Sequence, residues 1–222
     1  MDRYCEKESS YFENIRTDML ALVPPNPDNV LLEIGAGTGN TLIKAKELGL
    51  AKEVVGVDVV TVSDSNQTNP LIDRFIIGNL DTINLDYPEN YFDVVMGGDV
   101  LEHLIDPWAV VKNLKKHIKP GGLFITAIPN IKELKTLYTI IFKGDFRYAK
   151  SGILDRTHLR FFCRKNMIEL FSDNGFVVEK IFSNIDTFDI KSERRLFNEL
   201  TFHLFDQFMA KRYFIVARKP YF

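Results

Sequence analysis

The reading of this chain turns on Val30-Leu31-Leu32-Glu33-Ile34-Gly35-Ala36-Gly37-Thr38-Gly39. An apolar run interrupted only by Glu33 predicts a short buried strand, Val30 to Ile34. The glycines at 35, 37 and 39 predict a tight turn, because glycine adopts left-handed dihedrals at little cost and lets the backbone approach a ligand closely. A helix is predicted from about Asn40 to Leu48, and its first N–H groups lack intrahelical partners, so this junction can receive a polar ligand. A second strand, Glu53 to Asp58, ends on a carboxylate suited to accept from both hydroxyls of a ribose. Taken singly, the glycines could form an unliganded turn and Asp58 could be an ordinary strand-end acid. Their arrival in this order points to a nucleoside-binding α/β unit.

Spacing separates two cofactor classes. In the dinucleotide fingerprint the third glycine follows the second by three residues, a place filled here by Asn40. The G-x-G-x-G spacing suits a nucleoside carrying a small carboxylate and argues against an NAD(P)-dependent oxidoreductase. A binding module that keeps the cofactor site without turnover is compatible with the same residues.

Working outward, further strands are predicted at Arg74 to Ile77, Phe92 to Met96 and Leu123 to Ile128, the last entered through Pro120-Gly121-Gly122. A helix spans about Pro107 to Ile118, and another spans Arg164 to Asn174 and stops at Gly175. Phe176 to Phe182 and Tyr213 to Ala217 read as the sixth and seventh strands. Toward the N-terminus, Tyr11, Ile15, Met19 and Leu22 at near-helical spacing predict a leader helix over 9–23, ended by Pro24-Pro25-Asn26-Pro27. The polar segment 61–70 reads as a loop with one turn, and regularity lapses over 130–162. Short apolar strands alternating with helices predict a doubly wound parallel sheet covered on both faces. The whole chain, 1–222, reads as one domain, with 1–27 as a leader and 130–162 as an insertion on the acceptor side.

Composition narrows the function classes. A net charge of -2 and 45% hydrophobic residues describe an ordinary globular protein with no basic nucleic-acid footprint. Cys5 and Cys163 are the two cysteines; they support neither a disulfide framework nor a four-ligand zinc site, and no metal is expected. No apolar run reaches membrane-spanning length and the N-terminus has no signal-like core, so a cytoplasmic location is expected.

Four stretches together resemble the class I S-adenosylmethionine (SAM)-dependent methyltransferases. Leu32 to Gly39 is similar to that family's E-x-G-x-G-x-G signature, and Val55-Gly56-Val57-Asp58-Val59 to its ribose-binding strand end. Phe92 to Leu104, containing Asp99-Val100-Leu101-Glu102-His103, is similar to the fourth-strand motif. Ile118-Lys119-Pro120-Gly121-Gly122-Leu123-Phe124-Ile125 is similar to the entry to strand five. The resemblance covers roughly residues 28–130 and reaches Asn174-Gly175-Phe176-Val177. It implies a Rossmann-like α/β fold with a seven-stranded sheet, mostly parallel with an antiparallel last strand. It also implies SAM as cofactor, held by Glu33, Gly35, Ala36, Gly37, Gly39, Asp58 and Val59. On this resemblance Glu33 lies near the methionine amino end and Val59 packs on adenine. The adenine amino partner is Asn79 (with Leu80 beside it) or Asp81, and Asp99 borders the same site.

Methyl transfer from a sulfonium needs alignment and exclusion of water before it needs a base. Two histidines are candidates on the acceptor side. His103 follows the fourth strand at the ligand-binding edge, or else packs on the sheet. His158, in Asp155-Arg156-Thr157-His158-Leu159-Arg160, either meets the acceptor or is a surface residue beside a cap. His117 and His203 read as structural. Phe142, Phe146, Tyr148, Phe161 and Phe162 line an acceptor cleft or belong to the core. The aromatic stretch 191–211 packs on the sheet, walls the acceptor pocket or forms a homodimer interface. The Asp-Arg-x-His-Leu-Arg-Phe-Phe stretch resembles small-molecule enzymes, which points to a hydroxyl of a sugar or glycan precursor, with a quinone-type acceptor as the alternative.

Overall fold

Every residue of β1 (Val30–Ile34) is buried, Glu33 included, as a strand covered on both faces requires. The computed structural model describes residues 14–183, 200 and 205–222. In it β1 pairs in parallel with β2 (Glu53–Asp58) on one side and with β4 (Phe92–Gly98) on the other. Beyond β2 lies β3 (Arg74–Ile77), also parallel. On the other flank β5 (Ile118–Pro129) runs parallel to β4. Antiparallel pairing with β7 (Arg212–Arg218) follows, and β7 in turn pairs antiparallel with β6 (Val177–Ser183). The seven strands are ordered β3-β2-β1-β4-β5-β7-β6, the mostly parallel sheet with an antiparallel last strand that the sequence predicts.

Alternation along the strands sorts the core into two layers. Leu31 points to one layer with Val54, Val94, Met96 and Ile125; it is covered by Met19 and Leu20 of α1 (Thr17–Leu20) and by Leu42 and Ala45 of α2 (Asn40–Glu47). Leu32 and Ile34 point to the other, with Val55, Val57, Val95 and Phe124; Val110, Val111 and Leu114 of α3 (Pro107–His117) cover it. Asp106 caps α3 by accepting from the Ala109 N–H at 3.0 Å, and Pro107 fills the first turn where its missing N–H costs nothing.

Three expectations are corrected. The leader helix is short: among the described residues only Thr17–Leu20 is helical before the chain turns toward the Pro24-Pro25 stop, and Tyr11 lies outside them. Residues 130–162 contain a helix, α4 (Leu134–Lys143), capped by the Glu133 carboxylate accepting from the Thr136 N–H at 2.9 Å. The helix is amphipathic, with Lys135, Thr139 and Lys143 along one face, and its apolar residues Leu134, Tyr138, Ile141 and Phe142 are exposed. Strand β5 begins at Ile118, because the Pro-Gly-Gly segment continues the ladder through a bulge opposite Phe92/Val94. Helix α5 (Arg164–Ser172) ends close to its predicted stop. Of the stretch 191–211, Leu200, which is helical, and 205–211 are described, the latter with one helical turn, α6 (Asp206–Met209). The rest of that stretch, His203 included, lies outside the described residues.

Phe124 carries the second layer: it is fully buried and its ring meets Phe171 at 5.1 Å and Phe176 at 6.1 Å. Phe124→Ala should lower unfolding stability by about 3–5 kcal/mol in urea titrations followed by circular dichroism. A loss below about 1 kcal/mol would mean that this face of the sheet is not a packed core.

Candidate functional site

The carboxyl ends of β1, β2, β4 and β5 open onto one cavity of about 1090 Å³, at the crevice where strand order reverses between β1 and β4. Single-ligand pockets run to about 1,000 Å³, so this cavity has room for a nucleoside cofactor and a second molecule.

The glycine turn builds one end. Gly35, Gly37 and Gly39 all take left-handed φ, at 65°, 52° and 82°. A Cβ on Gly35 would stand 2.4 Å from Val100 Cγ2, so the turn passes too close to the β4 loop for any side chain. The Gly37 N–H donates to Asp58 Oδ2 at 2.7 Å, and the Val60 N–H donates to Asp58 Oδ1 at 3.0 Å. Burial pushes the Asp58 carboxyl up from its ordinary range, and these backbone donors pull it back toward the ionised form. Gln67, which sequence reasoning passed over, stands behind the turn. Its amide donates to the Gly37 carbonyl at 2.7 Å and to the Val60 carbonyl at 3.0 Å. It comes from the polar segment 61–70, where a single 3₁₀ turn, Asn66–Thr68, gives the loop its one piece of regular structure.

Glu33, Gly35, Ala36, Gly37, Asp58 and Val59 are on the cavity wall. Gly39 is not. It caps the start of α2, where a Cβ would meet Ile72 Cδ1 at 2.7 Å. Asn79, Leu80 and Asp81 line the far side, but their polar atoms are committed locally. The Asn79 side-chain carbonyl accepts from the Asp81 N–H at 2.9 Å, and the Asp81 carboxylate accepts from the Ile105 and Asp106 N–H groups at 3.0 and 3.1 Å.

Glu33 is the least satisfied acid at this end. Burial holds its carboxyl up at about 8, against the opposing pull of Arg16 and the Thr41 hydroxyl, and its Oε2 has no hydrogen-bond partner among the described residues. Arg16 is the second residue the sequence concealed. Its Nη1 donates to Asp99 Oδ2 at 3.0 Å and its Nε to Asp18 Oδ1 at 3.0 Å. Burial lowers its basicity, yet the two acids more than restore it. An arginine in a leader carries no signal until the fold lays α1 against the end of β4. A nucleoside bearing an amino-acid tail fits this donor set: Asp58 for ribose hydroxyls, the orphan Glu33 oxygen for an ammonium, Arg16 for a carboxylate.

The other end is built from the loop after β4 and the segment before α5. The N–H groups of Leu159 and Arg160 donate to the Glu102 carbonyl at 2.8 and 3.0 Å, which fastens the segment carrying His158 to the 3₁₀ turn Leu101–His103. His103 Nδ1 bonds the Thr157 carbonyl at 3.0 Å, and His158 Nδ1 bonds the Ile153 carbonyl at 2.9 Å. The two rings meet edge to face at 4.7 Å. His158 is buried, which removes its surface alternative, and both histidines line the cavity. Burial, followed by the neighbouring His158, lowers His103 to about 4, so it is neutral near pH 7. Glu102, only 1% exposed and unremarked in the sequence, lies with an oxygen 3.9 Å from His158 Nε2. Burial and then Asp99 raise its carboxyl well above the ordinary range.

The aromatics expected in the acceptor cleft are elsewhere. Phe162 is core, Phe142 is exposed, and Phe146 and Tyr148 pack around Phe161 outside the cavity wall. His117 bonds the Pro88 carbonyl at 3.1 Å, a structural placement.

Two outcomes test the cofactor end. Asp58→Ala should weaken S-adenosylhomocysteine binding by about 1.5–3 kcal/mol in isothermal titration; unchanged affinity would remove Asp58 from the site. Because Glu33 in the ligand-free protein titrates at about 8, it is largely protonated at pH 6–7, and an ammonium favours its ionised form. Binding should therefore expel a proton, tighten as pH rises from 6 to 8 and level off beyond. Glu33→Gln should flatten that slope, and a wild-type affinity independent of pH would place the amino group elsewhere.

Comparison with known proteins agrees with this geometry. A family model described as a methyltransferase domain matches residues 8–181. The chain is 30% identical over 130 residues to the 27-O-demethylrifamycin SV methyltransferase of Amycolatopsis mediterranei, covering 54% of this chain and 47% of that protein. It thus spans about half the length of that relative. It is 25% identical over 162 residues to the demethylmenaquinone methyltransferase of Staphylococcus aureus, covering 66% of this chain and 67% of the relative. A SAM-dependent methyltransferase from Archaeoglobus fulgidus shares the fold with a TM-score of 0.63 at 20% identity, covering 98% and 97% of the two chains. The oxidoreductase alternative falls with these matches. No described helix is long and apolar enough to cross a membrane. This chain belongs to the class I SAM-dependent methyltransferases, and SAM is the cofactor of its family.

Proposed function

We propose that this protein transfers the methyl group of SAM, in the cytoplasm, to a hydroxyl oxygen of a small polar molecule, a sugar or glycan precursor. The observation that carries this reading is the set of polar side chains at the acceptor end. Asp155, Arg156, Thr157, Lys211 and Arg212 line it beside the apolar Leu104, Ile105, Ile153 and Leu159, while the aromatic side chains of the same segment turn away. Polar groups placed in a partly apolar pocket orient and select a hydroxyl-bearing acceptor. A quinone-type acceptor is the second reading, supported by the similarity to the demethylmenaquinone enzyme.

SAM, when bound, supplies a methyl group on a positively charged sulfur. The chain's own share is alignment: Asp58, Glu33 and the glycine turn hold one partner, and the segment 151–159 with Arg212 holds the other. Positioning of this kind is worth on the order of 7–11 kcal/mol. The residues at the acceptor oxygen are His158 and His103. Each imidazole is fixed through Nδ1 to a backbone carbonyl, so a neutral ring would take the hydroxyl proton at Nε2, and in His158 that atom stands 3.9 Å from Glu102 Oε1. The segment 130–162 thereby acts as the acceptor-side insertion of a single domain.

His158→Ala should lower turnover about 10²–10⁴-fold with a polar hydroxyl acceptor, while S-adenosylhomocysteine affinity in isothermal titration stays near the wild-type value. A loss below tenfold would make His158 a bystander. An assay against sugar and quinone-type acceptors, reading S-adenosylhomocysteine release, separates the two acceptor readings; turnover with neither would favour a SAM-binding module without catalysis.

A further inference from the structure

We infer that Glu102, His103 and His158 form a binding site for a divalent transition-metal ion of the zinc class, with its open coordination positions facing the acceptor end of the cavity. The ion's part in catalysis rests on the acceptor reading above; its binding does not.

Geometry comes first. One ligand atom from each of the three residues lies within 4.8 Å of the others, and the Glu102 to His158 pair is at 3.9 Å. In a tetrahedral zinc site with metal–ligand distances of about 2.0–2.1 Å, ligand atoms stand roughly 3.3 Å apart. Binding an ion would draw these three ligand atoms closer together than they stand here.

A backbone carbonyl can only accept, so the Nδ1 atoms bonded to Thr157 and Ile153 carry hydrogens. In its neutral form each ring would then carry its lone pair on Nε2. A ligating histidine is prepared in this way, its other nitrogen anchored to a carbonyl that fixes tautomer and ring plane. Both rings are fixed to the same segment, and Leu159 and Arg160 tie that segment to Glu102.

Among the described residues Glu102 is buried with no hydrogen-bond donor on its carboxylate, its one side-chain contact being His158 Nε2 at 3.9 Å. Asp99 adds a like charge nearby. Leaving an ionised carboxylate in that state is costly, and a proton only neutralises it. A dication would be held by the carboxylate together with the two imidazoles. Two nitrogens and one oxygen suit zinc and its neighbours better than magnesium or calcium, which take oxygen ligands. Three protein ligands also leave positions open, as catalytic sites do.

An acceptor hydroxyl bound at an open position would be acidified as metal-bound water is. Its O–H bond breaks, the proton passes to water in the cavity, and the electron pair stays on oxygen. That pair forms the new C–O bond as the C–S bond to the departing cofactor product breaks. His158 is then a ligand rather than a base.

The test uses the full chain, stripped with a chelator and desalted, then titrated with Co²⁺ by visible absorption and with Zn²⁺ by calorimetry. One ion per chain is expected, with micromolar or tighter affinity. Glu102→Gln, His103→Ala and His158→Ala should each weaken it at least about tenfold, while unchanged S-adenosylhomocysteine affinity shows that each variant is folded. Cys163→Ser should bind the ion as the wild type does. No saturable uptake, or uptake indifferent to Glu102→Gln and His158→Ala, overturns the site. With an acceptor in hand, turnover lost on stripping and restored by the ion supports the catalytic role. Full turnover in stripped protein overturns that role: if His158→Ala is still inactive, the base reading stands, and if it is active, the acceptor reading falls as well.

Discussion

The 2.7 Å hydrogen bond from the Gly37 N–H to Asp58 Oδ2 joins the turn after β1 to the end of β2, and the shape of the cofactor end follows from it. To present that N–H, the chain passes through three left-handed residues, which glycine alone adopts cheaply. The same path sends α2 off at Gly39 so that Leu42 and Ala45 drop onto the first core layer. Gln67 fixes the turn from behind through two carbonyls, so that the segment 61–70 braces the site despite having little regular structure. The Asp58 carboxylate thus holds the architecture before any ligand arrives, and its remaining acceptor capacity is what a ribose would use.

Burial of charge is the second constraint, and magnitudes decide where it matters. Moving Glu33 from 4.5 to about 8 means that ionising it in the free protein costs roughly 5 kcal/mol relative to water. No helix or strand requires a glutamate in the middle of an apolar run, so the cost is sustained for a ligand. Glu102 repeats the pattern at the other end of the cavity, with two histidines in place of an arginine. Strained electrostatics of this kind gather where a protein binds something, and here they mark both ends of one crevice.

The strands were legible because each is a short apolar run bounded by turn residues, and β1, β2 and β3 begin and end where the pattern says. The glycine turn and Asp58 were legible because their chemistry is local: neighbours in sequence are neighbours in space. Helix α4 was not, although Leu134, Tyr138, Ile141 and Phe142 recur at helical spacing, because the aromatics and charges crowded around it over 130–162 obscure that pattern. Arg16, Gln67 and Glu102 were missed for a different reason. Each works through a partner far away in sequence: Arg16 on Asp99, Gln67 on Gly37, Glu102 beside His158. No window of a single chain shows such a pairing. The aromatics of 142–162 misled in the opposite sense, because composition alone does not say which side of a loop faces the cavity.

Asp99 connects the two ends of the crevice. It follows β4 with a φ of 57°, a left-handed conformation that aspartate tolerates better than most residues but still at a cost. Its Oδ2 accepts from Arg16 and from Arg212, each at 3.0 Å. The Arg16 contact, with the guanidinium largely buried, is the stronger of the two; Arg212, whose side chain is 39% exposed, contributes less because water screens it. Charge-assisted bonds of about 1.5–3 kcal/mol in the buried case are enough to hold the strained backbone. The consequence is positional. Arg16 belongs to the leader over the cofactor end, Arg212 opens β7 beside the acceptor end, and both are oriented by one carboxylate at the tip of β4. A change in the charge on Asp99 would therefore reach both binding ends at once, by way of the strand between them.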